Sequence, residues 1–201
     1  LNREGVKSDV NAGLSLGEYG ALLASGVMSE EDAFDIVRKR GIYMQEAVPE
    51  GGAMAAVLGL DNETIRTVCE ETEGIVSVAN YNCPGQTVIT GEAKSVAEAG
   101  EALKAKGARR VLPLKVSGPF HSKMLTGAGE KLGLALEKVT LSDPETPYIT
   151  NVTAEYVTSK EQVKELLTAQ VSSSVLWQQS VERMIADGVD TFVEIGPGKT
   201  L

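Results

Sequence analysis

Ser15, His121 and Arg40 are the residues whose types and settings best suit nucleophilic chemistry on an acidic substrate. Ser15 sits in GLSLG, with Gly13 and Gly17 on either side. Such a pentapeptide between a strand and a helix permits a sharp turn that pushes the hydroxyl out toward a base. A helix starting directly after the serine also leaves backbone N–H groups, including that of Leu16, free to face an oxyanion. The same five residues can form a plain glycine-rich turn, and the strand-turn-helix setting favours the nucleophile. A serine nucleophile needs a base, and the chain has a single histidine, His121, in SGPFHSKM. Arg40 shares an i, i+4, i+7, i+11 stripe with Ala33, Val37 and Met44, so its guanidinium faces inward. A buried guanidinium requires an anion. A substrate carboxylate and a core-facing Asp or Glu both satisfy that on spacing alone.

These side chains need elements to hold them. A short strand is expected at 7–12 and a helix at 16–25, stopped by Gly26. Ser29 is an N-cap with Asp32 three residues on, opening a helix that runs to the break at 49–52. From 53 the pattern is strand 53–60, helix 61–72, strands 75–82 and 86–91, helix 94–107 and strand 109–116. That βαββαβ order is the split, ferredoxin-like arrangement, read as an insert at 53–117. The outer domain, 1–52 and 118–201, resumes with a helix at 122–137, a strand at 148–153, helices at 160–167 and 175–187, and a strand at 191–195. The fold class expected is α/β, a hydrolase-like parallel-sheet core with an inserted subdomain. Such a sheet needs several strands in place. The outer part has few for its size, so a preceding N-terminal portion is expected.

Of the 201 residues, 42% are hydrophobic and 23% charged, the balance of a chain with a real core. No apolar stretch is long enough to cross a bilayer, and the first residues lack the features of a secretory signal. Cys69 and Cys83 are too few for a disulfide framework, which suits a reducing, cytoplasmic compartment. A formal net charge of −9 argues against nucleic acid. Lys104, Lys106, Arg109, Arg110, Lys115 and Lys123 nevertheless follow one another with no acidic residue between Lys104 and Lys123. Such a run suits docking of an acidic partner, or simply a solvated face.

AGLSLGEY, VRKRG followed by MQEAVPEG, NYNCPGQTVITG, SGPFHSKM and FVEIGPG occur in this order along nearly the whole chain. Together they resemble the bacterial malonyl-CoA:acyl carrier protein transacylases and the acyltransferase domains of fatty acid and polyketide synthases. The resemblance implies Ser15 as the acylated nucleophile, His121 as its base, Arg40 as the ligand of the malonyl carboxylate and Leu16 N–H as half of an oxyanion hole. It implies that the carbonyl of Gln170 orients the histidine, that Asn82 lies beside the pocket, and that Phe120-His121-Ser122 goes with malonyl selection. The partners implied are malonyl-CoA and the phosphopantetheine thiol of acyl carrier protein, with no metal or redox cofactor. The chain departs from the family pattern at Leu14, where many members have His, and at Ser174, where proline is frequent. It contains no counterpart of the family's Gly-Gln-Gly segment.

Other readings compete. A serine esterase or thioesterase shares GxSxG, but its acid usually precedes the histidine, and no acid here has a clear claim. GPGKT at 196–200 suggests a phosphate loop, yet the first glycine of that motif would be Val193. A carrier-docking module without turnover is the non-enzymatic alternative.

Overall fold

The computed structural model describes residues 5–48 and 50–196. After Ser15 come helices α1 (Gly17–Ala24) and α2 (Glu30–Ala47). Gly26, at φ +74°, ends α1: its N–H donates to the Leu23 carbonyl and that of Val27 to the Leu22 carbonyl. These bonds satisfy carbonyls that the last turn leaves free. Ser29 caps α2 by accepting from Asp32 N at 3.1 Å, and Glu30, Glu31 and Asp32 place negative charge at the positive helix end. The face of α2 turned inward carries Ala33, Ile36, Arg40 and Met44.

The next elements are β1 (Gly52–Leu58), α3 (Asn62–Glu71), β2 (Val76–Cys83), β3 (Gln86–Glu92), α4 (Ala93–Ala105) and β4 (Arg110–Pro113). The sheet has the order β2-β3-β1-β4, with antiparallel neighbours throughout. Alternation along the strands splits the side chains between two faces. Ala55 and Val57 of β1 pack with Ile65 and Val68 of α3 and Val96 and Leu103 of α4. Met54 and Val88 take the opposite face and meet Phe120. That second face forms one wall of the site.

The chain continues through a 3-10 turn (Lys123–Leu125), α5 (Thr126–Leu136), β5 (Tyr148–Ile149), β6 (Tyr156–Val157), α6 (Lys160–Gln170) and α7 (Trp177–Ala186). Leu22, Ile36, Leu132, Tyr148 and Leu167 close a core among α1, α2, α5, β5 and α6. Val175 joins this part to the sheet: its N–H donates to Ala79 O at 2.8 Å, and its carbonyl accepts from Tyr81 N at 3.0 Å. Ser174 adds a hydroxyl bond to Val78 O at 2.6 Å, which a proline at that position could not make.

Several expectations need correction. Residues 7–12 are not a strand, because Asn11 makes one isolated parallel bridge, to Tyr148. Nor do 191–195 form one, and Phe192, Val193 and Ile195 stand at least half exposed. Apolar alternation reports which faces a strand would have, but a ladder forms only where a neighbouring backbone supplies partners. Among the described residues the parallel sheet is thus reduced to isolated bridges, and the strand expected at 148–153 is the short β5, paired antiparallel with β6. Of GPGKT, only Gly196 lies within the described residues. The helix expected to end at 167 runs on to Gln170, which carries that residue into the site. Cys69 is buried, Cys83 exposed, and both are free thiols.

Candidate active site

The turn before α1 sets Ser15 at φ +52°, a left-handed conformation that costs a non-glycine residue about 1–2 kcal/mol. Bonds from distant parts of the chain hold it there. Ser15 N donates to Asn151 Oδ1 at 2.6 Å, and Ser15 O accepts from Gln170 Nε2 at 3.0 Å. Asn151, in the turn after β5, also donates from Nδ2 to Gly13 O at 2.8 Å. The two glycines of the pentapeptide have unequal roles. A Cβ on Gly13 would lie 2.0 Å from Gly17 O, whereas one on Gly17 meets nothing within 4 Å. Gly13→Ala is therefore expected to destabilise the protein by about 1–3 kcal/mol through overpacking. Gly17→Ala should be neutral or stabilising, because it removes a glycine from the start of a helix. Urea unfolding of the two variants checks this, and equal losses would contradict it.

His121 is also left-handed, at φ +60°, just before Ser122, which caps the 3-10 turn. Its Nε2 lies 2.7 Å from Ser15 Oγ and its Nδ1 2.9 Å from the backbone carbonyl of Gln170. A carbonyl only accepts, so Nδ1 carries the proton and donates it to Gln170 O. Nε2 is then the bare acceptor for the Ser15 hydroxyl. Burial, and next the charge of Arg40, bring the His121 pKa down from 6.5 to about 4, against the raising effect of the Gln170 and Ser173 backbone. The ring is 4% exposed, so it is a neutral base through the whole neutral range. Labelling of Ser15 by a fluorophosphonate is expected to keep its rate down to an acid limb near pH 4 and not 6.5. Because the folded value is the lower one, this group's stability contribution is present above 6.5 and is lost as pH falls toward 4. A limb at 6.5 would contradict the buried neutral ring.

Arg40, 6% exposed, donates from Nη2 to Ser15 Oγ at 3.0 Å and to Gln170 Oε1 at 3.1 Å. Its guanidinium carbon stands 5.6 Å from the centroid of the Tyr19 ring. Nε is buried without a hydrogen-bond partner, and no Asp or Glu among the described residues pairs with this arginine. Its pKa is lowered, first by burial, with Tyr19 and then Glu18 opposing the shift. Of the two anions that spacing left open, the internal ion pair is not formed.

These groups open onto a cavity of about 470 Å³ whose lining includes Leu14, Met44, Met54, Val88 and Phe120. Leu14 extends the apolar wall beside Ser15. Asn80 lines the cavity and Asn82 does not. Asn82 lies two residues further along β2, at the irregularity between Tyr81 and Cys83 in its pairing with β3. Leu16 N–H donates to no acceptor among the described residues, and its side chain is exposed. Glu18, Asn151 and the side chain of Gln170 were not found by sequence reasoning. For Glu18 the signal was available: a carboxylate one turn beyond Ser15, on the buried side of α1.

The chain matches the acyl transferase domain family over residues 1–201. It is 50% identical over 205 residues to the malonyl CoA-acyl carrier protein transacylase of Bacillus subtilis (strain 168), covering all of this chain and 65% of that protein. The protein of the same name from Escherichia coli (strain K12) is 48% identical over 193 residues, 94% of this chain and 62% of its own length. An acyl carrier protein S-malonyltransferase from Vibrio cholerae superposes with a TM-score of 0.96 at 40% identity, covering 98% of this chain and 66% of that one. A malonyl-transacylase solved in complex with its type II PKS acyl-carrier protein gives 0.94 at 44%, covering 98% and 65%. The chain therefore spans 65% and 62% of the length of these two curated relatives.

Proposed function

The chain belongs to the acyl transferase family, and from that premise we propose that its protein transfers a malonyl group from malonyl-CoA to the phosphopantetheine thiol of acyl carrier protein. One observation carries this reading: Ser15 Oγ lies 2.7 Å from a bare imidazole nitrogen and 3.0 Å from a buried guanidinium that pairs with no carboxylate among the described residues. Nucleophile, base and acid-recognising group meet at one oxygen.

In the first half-reaction the Ser15 hydroxyl proton passes to His121 Nε2 as Oγ bonds to the thioester carbonyl carbon. The Leu16 N–H suits the resulting oxyanion as a donor. Breaking the C–S bond leaves malonyl-Ser15, and the CoA sulfur takes the proton from the imidazolium. In the second half the carrier thiol gives its proton to Nε2 and attacks the ester carbonyl, and Ser15 Oγ leaves with that proton. Nothing in this sequence needs a metal or a redox group. Arg40 holds the malonyl carboxylate, with donors to spare for a two-point grip. A carboxylate there also offsets the Arg40 charge, which adds to burial in holding the His121 pKa low, so the base strengthens when the right acyl group is bound.

The finer architecture belongs to the same reading: a ferredoxin-like unit at 53–117 inserted into an acyltransferase core of 1–52 and 118–201. The order β2-β3-β1-β4 and the separate core of that unit support it. Lys104, Lys106, Arg109, Arg110, Lys115 and Lys123 are all exposed and suit an acidic carrier protein. Two free thiols suit a reducing cytoplasm. With malonyl-CoA and the carrier supplied together, the full-length protein is expected to yield malonyl-carrier. Malonate released with no malonyl-carrier would favour a hydrolase and reject the transferase.

A further inference from the structure

Glu18 is fully buried beneath the nucleophile, and no Lys or Arg among the described residues forms an ion pair with it. Its Oε2 accepts from Gln170 Nε2 at 2.6 Å and from Asn151 N at 3.3 Å. Gln170 in turn touches each working group. Its backbone carbonyl takes the His121 proton, its Nε2 serves Ser15 O as well as Glu18, and its Oε1 receives Arg40 Nη2. A primary amide can be flipped end for end, and its neighbours decide which end faces where. Ser15 O and an ionised Glu18 can only accept, while Arg40 can only donate. All three select the orientation with Oε1 on Arg40. A neutral group at position 18 withdraws the charged acceptor from Nε2, so Ser15 O and Arg40 are left to hold the amide with its strongest anchor gone.

We propose that Glu18 is a positioning residue for acid recognition: its negative charge fixes the Gln170 amide against Arg40. Removing that charge, by substitution or by protonation, loosens the grip on an acidic acyl group while leaving the Ser15–His121 pair in place. The inference rests on the malonyl-transfer reading for its substrate, but not for the state of the amide. The charged and titratable groups that bear on Glu18 are Arg40 from α2, Tyr19 from α1 and Tyr148 from β5, with the neutral Gln170 and Asn151 as hydrogen-bond donors. Burial pushes the Glu18 carboxyl up to about 7, so it changes charge within the working range.

Two measurements on the wild-type protein and Glu18→Gln test this. In steady-state kinetics, Glu18→Gln is expected to raise KM for malonyl-CoA about 10-fold or more, a scale set by losing one charge-assisted hydrogen bond. Fluorophosphonate labelling of Ser15 should change less than about 3-fold, because the hydroxyl–imidazole pair is untouched. The wild-type KM should rise between pH 8 and pH 6 while labelling stays flat, and the variant should lose that pH dependence. Thermal melting separates this from a folding defect. A carboxyl whose pKa is higher in the fold opposes folding as pH climbs from 4.5 to about 7, so Glu18→Gln should gain melting temperature relative to wild type at pH 8. The second measurement is the side-chain NH₂ resonance of Gln170 by NMR, which should titrate near pH 7 in the wild type and stay fixed in Glu18→Gln. A Gln170 signal that ignores pH, or a variant that loses labelling and malonyl turnover together, overturns the proposal. A titrating Gln170 in a protein that never forms malonyl-Ser15 would instead sink the malonyl-transfer reading and leave Glu18 as the group that orients Gln170 and Arg40.

Discussion

Ser15→Ala is expected to abolish the acyl-enzyme and to lower transfer on the order of 10⁶-fold, the scale seen when a serine nucleophile is deleted from a serine protease. Mass spectrometry after exposure to malonyl-CoA should find the malonyl adduct on wild-type Ser15 and none on the variant. The bare nitrogen of the chain's single histidine lies 2.7 Å from this hydroxyl, so alanine at position 15 leaves that base with no oxygen to activate there. Stability should move the other way in a companion variant. Alanine keeps a Cβ at φ +52°, whereas glycine removes it, so Ser15→Gly should be more stable than Ser15→Ala by about 1 kcal/mol. An inactive variant that is more stable would show that the fold holds the nucleophile under strain. Turnover surviving in Ser15→Ala would contradict the covalent mechanism.

Arg40→Ala is expected to cut kcat/KM for malonyl-CoA about 10²- to 10³-fold. Truncating one partner of a buried charged pair typically costs 2–5 kcal/mol. Acetyl-CoA offers the guanidinium no anion, so its kcat/KM should fall far less, and the preference between the two substrates should narrow or invert. The charge of Arg40 also depresses His121, so the acid limb of Ser15 labelling should move up from about 4 in this variant. Arg40→Lys should rescue only in part, since an ammonium lacks the planar fork that suits a carboxylate. Equal losses for both acyl groups would mean that Arg40 supports the fold of the site and does not read the acid.

Ser15 and His121 were legible because each carries a local mark: glycines around the serine, and a histidine with no rival. Arg40 was legible as an inward-facing cation, but its partner was not, since helical spacing gives a direction and no destination. Gln170 was known through family likeness as a carbonyl, while its amide, which links Ser15, Arg40 and Glu18, could not be read from a helix-terminal glutamine. Family likeness placed Asn82 beside the pocket, whereas Asn80, two residues earlier, is the asparagine that lines the cavity. Both residues lie on one strand, and which of them reaches the cavity depends on where the pairing with β3 turns irregular. The segments at 7–12 and 191–195 have the composition of strands, but among the described residues no ladder runs along either of them.

Residue type and near-neighbour spacing determined by themselves the capped helices, the βαββαβ order and the choice of Ser15 and His121 as a pair, because capping, turn chemistry and side-chain periodicity act within a few residues. Tertiary packing alone decided that the Ser15 hydroxyl meets an imidazole 106 residues away and a guanidinium 25 away, and that the Ser15 carbonyl meets an amide 155 away. It also buried a carboxyl beneath them. Those distances depend on how separate helices and a sheet face close on one another, and no local pattern encodes where distant surfaces will touch.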